Sequence, residues 1–358
     1  MPNMALKLTS LQPLIDHGFD DIIDVRSPAE FAEDHVPGAI NLPVLNNEER
    51  ARVGTIYVQE SRFEARKIGA ALAVRNSARH LETVLADHPR EWHPLVYCWR
   101  GGQRSGSFAW LLGQVGWKVE LLDGGYRAFR RAVKTALYDA PIAPRLVVLE
   151  GMTCTGKTAL LAGLAKSGMQ VIDLEALAGH RGSVFGGLPD QDQPSQKWFE
   201  TGLAMALARC DPTRPVVVEA ESSKIGQLNI PPSLWSAMLS APRLAVEVPL
   251  EARAEFALRS YPEFACDAGA FSQILQRLVS MIGHASAGTL QALVEAGEAK
   301  TAAAALMAEH YDPRYRRSLQ RNAAHLRGSF QLPDLSQGSI DDAIPNLRQA
   351  LEKIEELD

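Results

Sequence analysis

The stretch RLVVLEGMTCTGKT, residues 145–158, decides the fold of the second half of this chain. Its first five residues are mostly apolar and predict a buried strand. The turn from Gly151 to Thr158 matches the pattern G-x-x-x-x-G-K-[ST] in full, and the Ala/Leu-rich segment after it predicts a helix. A strand, a glycine-bounded loop and a helix, in this order, form the setting in which backbone N–H groups bind phosphate oxygens.

The residue types in this loop each serve phosphate binding. Gly151 and Gly156 let the backbone come close to phosphate oxygens, Lys157 supplies a positive charge, and Thr158 is placed to hold Mg²⁺. Cys154 lies inside the loop, where we expect a small filler rather than a reactive thiol. The sequence therefore predicts a phosphorylated ligand here, with room for Mg²⁺ beside it.

A second apolar strand is predicted at residues 215–219 and ends in Glu219-Ala-Glu221. P-loop proteins usually place an acidic residue near the metal at such a strand end. We therefore expect Glu219 or Glu221 to join Thr158 as a ligand of the metal or of its water. The alternative is that both are exposed loop carboxylates without a role. The segment Asp173-Leu-Glu175, after the neighbouring strand, is a further candidate to face the phosphates.

The N-terminal third alternates short apolar runs with helical stretches, a pattern typical of a parallel α/β sheet. The runs are residues 21–25, 94–97 and 118–122. A proline-containing stretch at residues 138–144 then has the composition of a linker. We predict two α/β domains, residues 1–138 and residues 139–358, the second with a helical C-terminal part from about Leu250 onward.

The most informative segment of the first half is CWRGGQRS, residues 98–105, which lies between an apolar run and a helical stretch. The N–H groups of such a turn converge on one point and the helix N-terminus adds positive potential, so the loop favours an anion. With Arg100 and Arg104 close by, Cys98 should ionise more readily than a free thiol and act as a nucleophile. Two alternatives stay open: a cysteine that packs at a strand end, and a cysteine phosphatase, because Cys98 and Arg104 have C-x5-R spacing.

Four segments of the first half resemble, in order, the characteristic stretches of rhodanese domains. They are residues 24–31, 34–43, 98–105 and 122–125. The resemblance implies a parallel-sheet fold in which Cys98 carries a transferable sulfur as a persulfide. It also implies structural roles for Asp24 and Arg26, which orient the end of a strand.

The fusion of a rhodanese-like domain to a P-loop domain resembles the tRNA 2-selenouridine synthase family over nearly the whole chain. Beyond the two loops, the resemblance rests on residues 46–50, 53–57, 124–127, 173–175, 180–183, 221–226 and 310–313. It implies an enzyme that replaces the sulfur of 2-thiouridine, at the wobble position of tRNA, by selenium from selenophosphate. It also implies transfer of a geranyl group to that sulfur from geranyl diphosphate.

These reactions agree with the residue types. Alkylation would turn the thiocarbonyl sulfur into a leaving group, and the diphosphate released is a ligand that suits a P-loop. Cys98 would then carry selenium as a selanyl sulfide to C2 of the base. An alternative of a different class is a P-loop kinase or nucleotide-driven switch, in which the rhodanese-like domain only docks a partner.

Composition bounds the setting of this activity. The chain has 358 residues, 46% of them hydrophobic and 22% charged, a balance typical of soluble proteins, and it shows no signal peptide and no apolar run of spanning length. Its four cysteines are too few for a disulfide framework. We therefore expect a cytoplasmic, monomeric enzyme with tRNA as its partner and a selenophosphate-producing enzyme as its supplier.

A net charge of −5 argues against a wholly polyanion-binding surface, so RNA contact should be local. The one dense basic segment spans residues 310–330, and its arginines alternate with Tyr311 and Tyr315. We predict that these arginines contact tRNA phosphates and that the tyrosines stack on bases; a solvated helix face is the alternative. The RNA-binding candidates are Arg314, Arg316, Arg317 and Arg321, followed by Arg327.

Overall fold

The computed structural model describes residues 5–181, 192–260, 272, 275–276, 278–280 and 282–355, with the backbone alone at Ser318, Arg321 and Glu355. By its internal contacts the chain divides into two compact units. The first consists of Met1–Ala140 and Ser195–Arg209, and the second of Pro141–Pro194 and Cys210–Asp358. Among the described residues no helix is both long enough and apolar enough to cross a membrane.

The first unit is built on a parallel sheet of five short strands. They are β1 (Ala5–Leu6), β2 (Ile22–Asp24), β3 (Ala39–Asn41), β4 (Leu95–Tyr97) and β5 (Glu120–Leu122), in the spatial order β1-β5-β4-β2-β3. The helices of this part of the chain are α1 (Gln12–Ile15), α2 (Pro28–Glu33), α3 (Asn47–Gln59), α4 (Arg62–Glu82), α5 (Gln103–Val115) and α6 (Gly125–Lys134). Helix α6 continues into a π-helical turn, Thr135–Asp139.

The three apolar runs of the N-terminal third form β2, β4 and β5, as the sequence predicts. Strands that are covered on both faces need nearly continuous apolar residues, and β2 and β4 are buried at every position. Their side chains share a core with α5, where Phe108, Ala109 and Leu112 are fully buried. This core holds the carboxyl ends of β2 and β4 side by side, and the Cys98 loop begins there.

The chain after the linker forms seven strands and nine helices within the described residues. The strands are β6 (Leu146–Gly151), β7 (Gln170–Ile172), β8 (Val216–Glu219), β9 (Lys224–Ile225), β10 (Leu228–Asn229), β11 (Arg243–Glu247) and β12 (Leu326–Gln331). The helices are α7 (Lys157–Lys166), α8 (Leu174–Leu177), α9 (Gln196–Arg209), α10 (Pro232–Ser240), α11 (Leu250–Ser260), α12 (His284–Glu295), α13 (Ala299–Leu306), α14 (Asp312–Arg321) and α15 (Gln337–Glu355).

Five of these strands form the parallel sheet of the second unit, in the order β12-β11-β6-β8-β7, while β9 and β10 pair antiparallel. Strand β6 is central and buried at every position. Helix α15 packs on α7 so closely that a Cβ atom at Gly163 would lie 2.4 Å from Cδ1 of Ile344. The helix that follows the P-loop is therefore anchored from behind by the last helix of the chain.

The α/β class of both halves and the C-terminal helices are confirmed, but the purely helical character expected after Leu250 is wrong for Leu326–Gln331. These residues form β12, which pairs with β11 at the edge of the sheet. Nearly all of its positions are exposed, so the strand carries neither an apolar run nor an alternating pattern. Arg327 accordingly lies on a strand, and its Nη1 donates to the carbonyl of Ala324 at 2.9 Å.

Helix α9 comes from the second half of the sequence but packs within the first unit. Its Glu200 is 4% exposed, forms an ion pair with Arg130 of α6 and accepts a hydrogen bond of 2.7 Å from the hydroxyl of Tyr138. Its neighbour Trp198 stacks on His35 with ring centroids 4.2 Å apart. The sequence analysis did not anticipate this placement, because a boundary drawn along the chain cannot show a segment that returns to an earlier unit.

A buried arginine organises the end of β2. Arg26 is 1% exposed, and its Nη2 donates to a carboxylate oxygen of Asp24 and to the carbonyl of Asp34, both at 2.6 Å. The guanidinium also lies 3.9 Å from the ring centroid of Tyr126. Arg26 and Asp24 therefore shape this strand end from inside the core, the structural role that the sequence resemblance implies for them.

Replacing Arg26 by Ala should lower the free energy of unfolding of the first unit by about 3–5 kcal/mol, because the Asp24 carboxylate would remain buried without its partner. Urea unfolding of the full chain, followed by tryptophan fluorescence, measures this loss. Lys197→Ala is the control, since Lys197 pairs with Glu33 at the surface and such pairs contribute about 0–1 kcal/mol. Equal losses in the two variants would contradict the assignment.

Candidate active sites

The Cys98 loop joins β4 to α5. Cys98 follows the last residue of β4 and is 3% exposed. Gly101 has φ +67°, in the left-handed region, and a Cβ there would lie 2.9 Å from the carbonyl oxygen of Leu122. Glycine at this position therefore lets the chain turn tightly enough for α5 to start at Gln103.

The thiol of Cys98 sits among hydrogen-bond donors. Oγ of Ser105 lies 3.1 Å from Sγ, and the backbone N–H of Gly102 donates to Sγ at 3.4 Å. Burial raises the pKa of Cys98, but the hydrogen bonds from Ser105, Arg100 and Gly102 outweigh it, so that the pKa lies below its ordinary value. The structure thus supplies the ionisable thiol that the sequence predicts. Ser105 is the residue whose part in it the sequence analysis missed, although it lies in the quoted loop.

The turn after β5 supports the Cys98 loop from below. The N–H groups of Tyr126 and Arg127 donate to the carbonyls of Cys98 at 2.8 Å and Trp99 at 3.1 Å. A Cβ atom at Gly125 would lie only 2.2 Å from the carbonyl oxygen of Cys98. The glycine pair before Tyr126 therefore serves close approach of two loops, which explains why this short motif accompanies the cysteine loop in sequence.

The two arginines expected beside Cys98 are placed differently. Arg100 is exposed, and its backbone N–H is among the donors that lower the pKa of Cys98. Arg104 on α5 forms an ion pair with Glu30 at 2.9 Å. Burial raises the pKa of Glu30, but the hydrogen bond and charge of Arg104 bring that pKa below its ordinary value. The guanidinium of Arg104 is thus engaged by a carboxylate, and direct contact of either arginine with a bound anion stays a prediction.

The P-loop runs from the end of β6 to the start of α7. Cys154 has φ +62° and Gly156 has φ +73°, so both occupy the left-handed region as the chain curls around the phosphate position. Nζ of Lys157 donates to the carbonyl of Gly151 at 3.1 Å. Burial raises the pKa of Cys154 to about 11, which keeps that thiol protonated at neutral pH and agrees with its expected filler role.

Carboxylates gather beside the loop. The N–H of Glu175 donates to a carboxylate oxygen of Glu219 at 2.7 Å, while Oγ1 of Thr158 lies 3.5 Å from the Glu175 carboxylate. Burial and the nearby charges of Asp173 and Glu175 raise the pKa of Glu219 to about 8. Burial and a hydrogen bond with Glu175 raise the pKa of Glu221 to about 9. These groups hold protons near neutral pH, so added positive charge would stabilise them as carboxylates.

A metal fits this cluster only with ligands from elsewhere. Among the described residues, no group of three or more His, Cys, Asp or Glu side chains is arranged to hold a metal ion. Oε2 of Glu219 is nevertheless buried without a hydrogen-bond partner. Because Mg²⁺ usually takes one or two protein oxygens, with waters and phosphate oxygens completing its shell, Thr158 with Glu219 or Glu221 is a compatible set. Of the motif at residues 180–183, Gly182 and Ser183 lie outside the described residues.

Helix α14 carries the predicted RNA-binding arginines. Arg314, Arg316 and Arg317 are exposed, whereas the side chain of Arg321 lies outside the described part of the chain. The tyrosines differ from expectation. The N–H of Gly151 donates to the hydroxyl of Tyr315 at 2.6 Å, and Tyr311 packs against the small core formed with α12 and α13. Tyrosines engaged in this way are held inside the unit, so the expectation that they stack on bases is wrong.

A second link to the P-loop was not recognised in the sequence. Arg253 on α11 donates to both carboxylate oxygens of Asp312, at 2.9 and 2.7 Å, and to the carbonyl of Thr153 at 3.3 Å. Both partners of this ion pair are buried. Asp312 lies in the quoted motif at residues 310–313, but nothing in a sequence pattern shows which arginine it meets.

Comparison with known proteins agrees with this geometry. The family model described as tRNA 2-selenouridine synthase AAA domain matches residues 144–332, and the rhodanese-like domain model matches residues 8–132. The chain belongs to the tRNA 2-selenouridine synthase family. A family member from Chromohalobacter salexigens is 36% identical over 84% of this chain and 88% of its own.

Two further members of the family are similar over a smaller share of the chain. The tRNA 2-selenouridine synthase of Nitrosomonas europaea is 36% identical over 69% of this chain and 67% of its own. That of Hahella chejuensis is 40% identical over 67% of this chain and 63% of its own. The two matched domain models contain the Cys98 loop and the P-loop, so both candidate sites lie in regions that define the family.

Replacing Ser105 by Ala should shift the pH profile of Cys98 alkylation by iodoacetamide to higher pH. The thiolate loses a hydrogen bond, its pKa rises, and less of it is present at neutral pH. The rate at pH 7 should fall roughly 10-fold, because a hydrogen bond to a charged group contributes about 1.5–3 kcal/mol.

Mass spectrometry of the Cys98 peptide gives the rate at each pH. Ser107→Ala is the matched control on the same helix, since its hydroxyl donates to the carbonyl of Arg104 instead of to the thiol. An unshifted profile in Ser105→Ala would show that the hydroxyl does not stabilise the thiolate.

Proposed function

We propose that this chain replaces the sulfur of wobble 2-thiouridine in tRNA by selenium from selenophosphate, through an S-geranyl intermediate made from geranyl diphosphate. The observation that carries the proposal is the presence, in one chain of this family, of a complete P-loop and of a buried thiol with a lowered pKa. The first site suits release of a diphosphate and the second suits chemistry that needs a sulfur nucleophile.

The P-loop is proposed to serve the alkylation step. The thiocarbonyl sulfur attacks C1 of the geranyl group, the C–O bond to the diphosphate breaks, and negative charge develops on the departing oxygens. Loop N–H groups and Lys157 would stabilise that charge more in the transition state than in the ground state. Mg²⁺ bound at Thr158, with Glu219 or Glu221, would add positive charge there.

The Cys98 loop is proposed to serve the exchange of sulfur for selenium. A selenium nucleophile attacks C2 of the base and geranylthiol leaves, so this exchange is redox-neutral overall. If Cys98 carries the selenium as a selanyl sulfide, its formation from selenophosphate needs a two-electron oxidant, and a second thiol returns those electrons when the Se–S bond breaks. The N–H groups of the loop are suited to bind the phosphate of the donor.

The exposed arginines of α14 are proposed to bind the phosphates of tRNA. Arg314, Arg316 and Arg317 are placed for backbone contacts, which orient an RNA without reading its sequence. Because tRNA and selenophosphate are both cytoplasmic in this proposal, the enzyme works there beside the enzyme that supplies selenophosphate.

The arrangement around Arg104 disfavours a cysteine phosphatase. In a C-x5-R site the arginine must face the phosphate held by the loop, but here Arg104 is paired with Glu30 at 2.9 Å. A phosphate would have to compete with that carboxylate for the guanidinium.

Lys157→Ala should stop geranylation of 2-thiouridine tRNA, and selenation with it, because the diphosphate leaving group loses its cation. Chemically prepared S-geranyl tRNA, supplied with selenophosphate, should restore 2-selenouridine in this variant. Mass spectrometry of digested tRNA measures both products. Failure of the rescue would show that Lys157 also acts in the second step, and a strict ATP requirement in the unmodified enzyme would favour the kinase-like alternative.

Cys98→Ala should abolish 2-selenouridine formation and leave S-geranyl-2-thiouridine to accumulate, since only the exchange step is assigned to the thiol. Cys210→Ala is the control: burial raises the pKa of Cys210, and it lies outside both loops. Normal 2-selenouridine levels in Cys98→Ala would refute the nucleophile assignment. Loss of geranylation as well would place Cys98 in the first step.

A further inference from the structure

Helix α14 contacts the P-loop on one face and solvent on the other. Asp312 and Tyr315 are three residues apart and both face the loop, whereas Arg314 and Arg317, also three apart, are exposed. We infer that Tyr315 and the Arg253–Asp312 pair are positioning residues of the P-loop, through which RNA bound to the arginines of α14 changes the affinity of the loop for a diphosphate. The RNA arm of this inference rests on the proposed function.

The first connection is the hydroxyl of Tyr315. It accepts the N–H of Gly151 at 2.6 Å, at the point where β6 ends and the loop begins. The carbonyl of the same residue accepts from Nζ of Lys157 at 3.1 Å. Gly151 thus joins α14 to the lysine that would meet the phosphate, and a displacement of Tyr315 would change the peptide on which Lys157 rests.

The second connection is the Arg253–Asp312 ion pair. Arg253 is 3% exposed and Asp312 4%, and the same guanidinium donates to the carbonyl of Thr153 inside the loop. Nε of Arg253 is buried without a hydrogen-bond partner. Because a buried bidentate pair resists reorganisation, Asp312 fixes Arg253 and Arg253 fixes the middle of the loop.

These two connections place both P-loop contacts and the candidate RNA contacts on one rigid helix. A helix of this length moves as a unit, so RNA that pulls or settles its exposed face also moves Asp312 and Tyr315. Binding free energies are reciprocal, and therefore a diphosphate in the loop must strengthen or weaken RNA binding by the same factor. Such coupling would favour engagement of the donor when the tRNA is already bound.

Inorganic pyrophosphate is the probe for the test, because its binding can be measured without turnover. Isothermal titration of the full chain should show that tRNA tightens pyrophosphate binding by about 5-fold or more, the lower end of measured couplings. Tyr315→Phe removes the hydroxyl and keeps the ring, so the factor should fall below about 2-fold while tRNA affinity is retained. Tyr57→Phe is the matched control, since Tyr57 is exposed in the first unit and its variant should keep the full factor.

Asp312→Asn provides a second variant that acts through the other connection, and it should also reduce the factor. Thermal unfolding of each variant without ligands shows whether it is folded. An undiminished factor in both variants, or no coupling in the unmodified protein, would overturn the inference. Reduced coupling with unchanged unfolding temperatures supports it, because a merely structural role would not change a ratio of affinities.

The double variant Arg316→Ala with Arg317→Ala separates this inference from the proposed function. It should weaken tRNA binding, flatten its salt dependence and leave pyrophosphate affinity without tRNA unchanged. Unaltered tRNA binding would refute the RNA face of α14 and the coupling with it. If coupling is found but no 2-selenouridine forms in any condition, the proposed reaction fails while the inference stands.

Discussion

Both candidate sites depend on one constraint of parallel sheets: the chain leaves each strand at its carboxyl end and cannot form a hairpin there. It must turn at once into the helix that covers the sheet, and the N–H groups of the turn and of the first helical residues then lack partners. Cys98 occupies this position between β4 and α5, and the P-loop occupies it between β6 and α7. The same backbone geometry therefore produces a thiolate-stabilising loop in one unit and a phosphate-binding loop in the other.

Burial decides how the charged groups around these loops behave. Arg26 with Asp24, and Arg253 with Asp312, are buried pairs whose geometry is bidentate or further hydrogen-bonded, so the cost of removing them from water is offset. Glu219 and Glu221 are not offset in this way, and their pKa values rise to about 8 and about 9. The first kind of group holds a loop in shape, and the second kind leaves it ready to accept positive charge.

The residues that could be predicted from sequence are those whose role is local. The apolar runs before Cys98 and before Gly151 had to be buried strands, and the glycine-bounded turns after them had to be anion loops, because neighbours along the chain supply all the groups involved. The roles that failed were those that depend on a distant partner. Tyr315 resembled a base-stacking residue in a basic segment, yet its hydroxyl binds Gly151, 164 residues earlier in the chain.

The sequence by itself determined the α/β class, the positions of the two loops, the nucleophile and the phosphate-binding lysine, since these follow from periodicity and from short motifs with a fixed backbone geometry. Only the tertiary structure decided that Arg104 faces Glu30, that Arg253 meets Asp312, that residues 326–331 form an edge strand and that α9 packs with the first unit. The physical reason is that a motif constrains the backbone over a few residues, whereas the partner of a side chain is set by packing between segments that the sequence does not place next to each other.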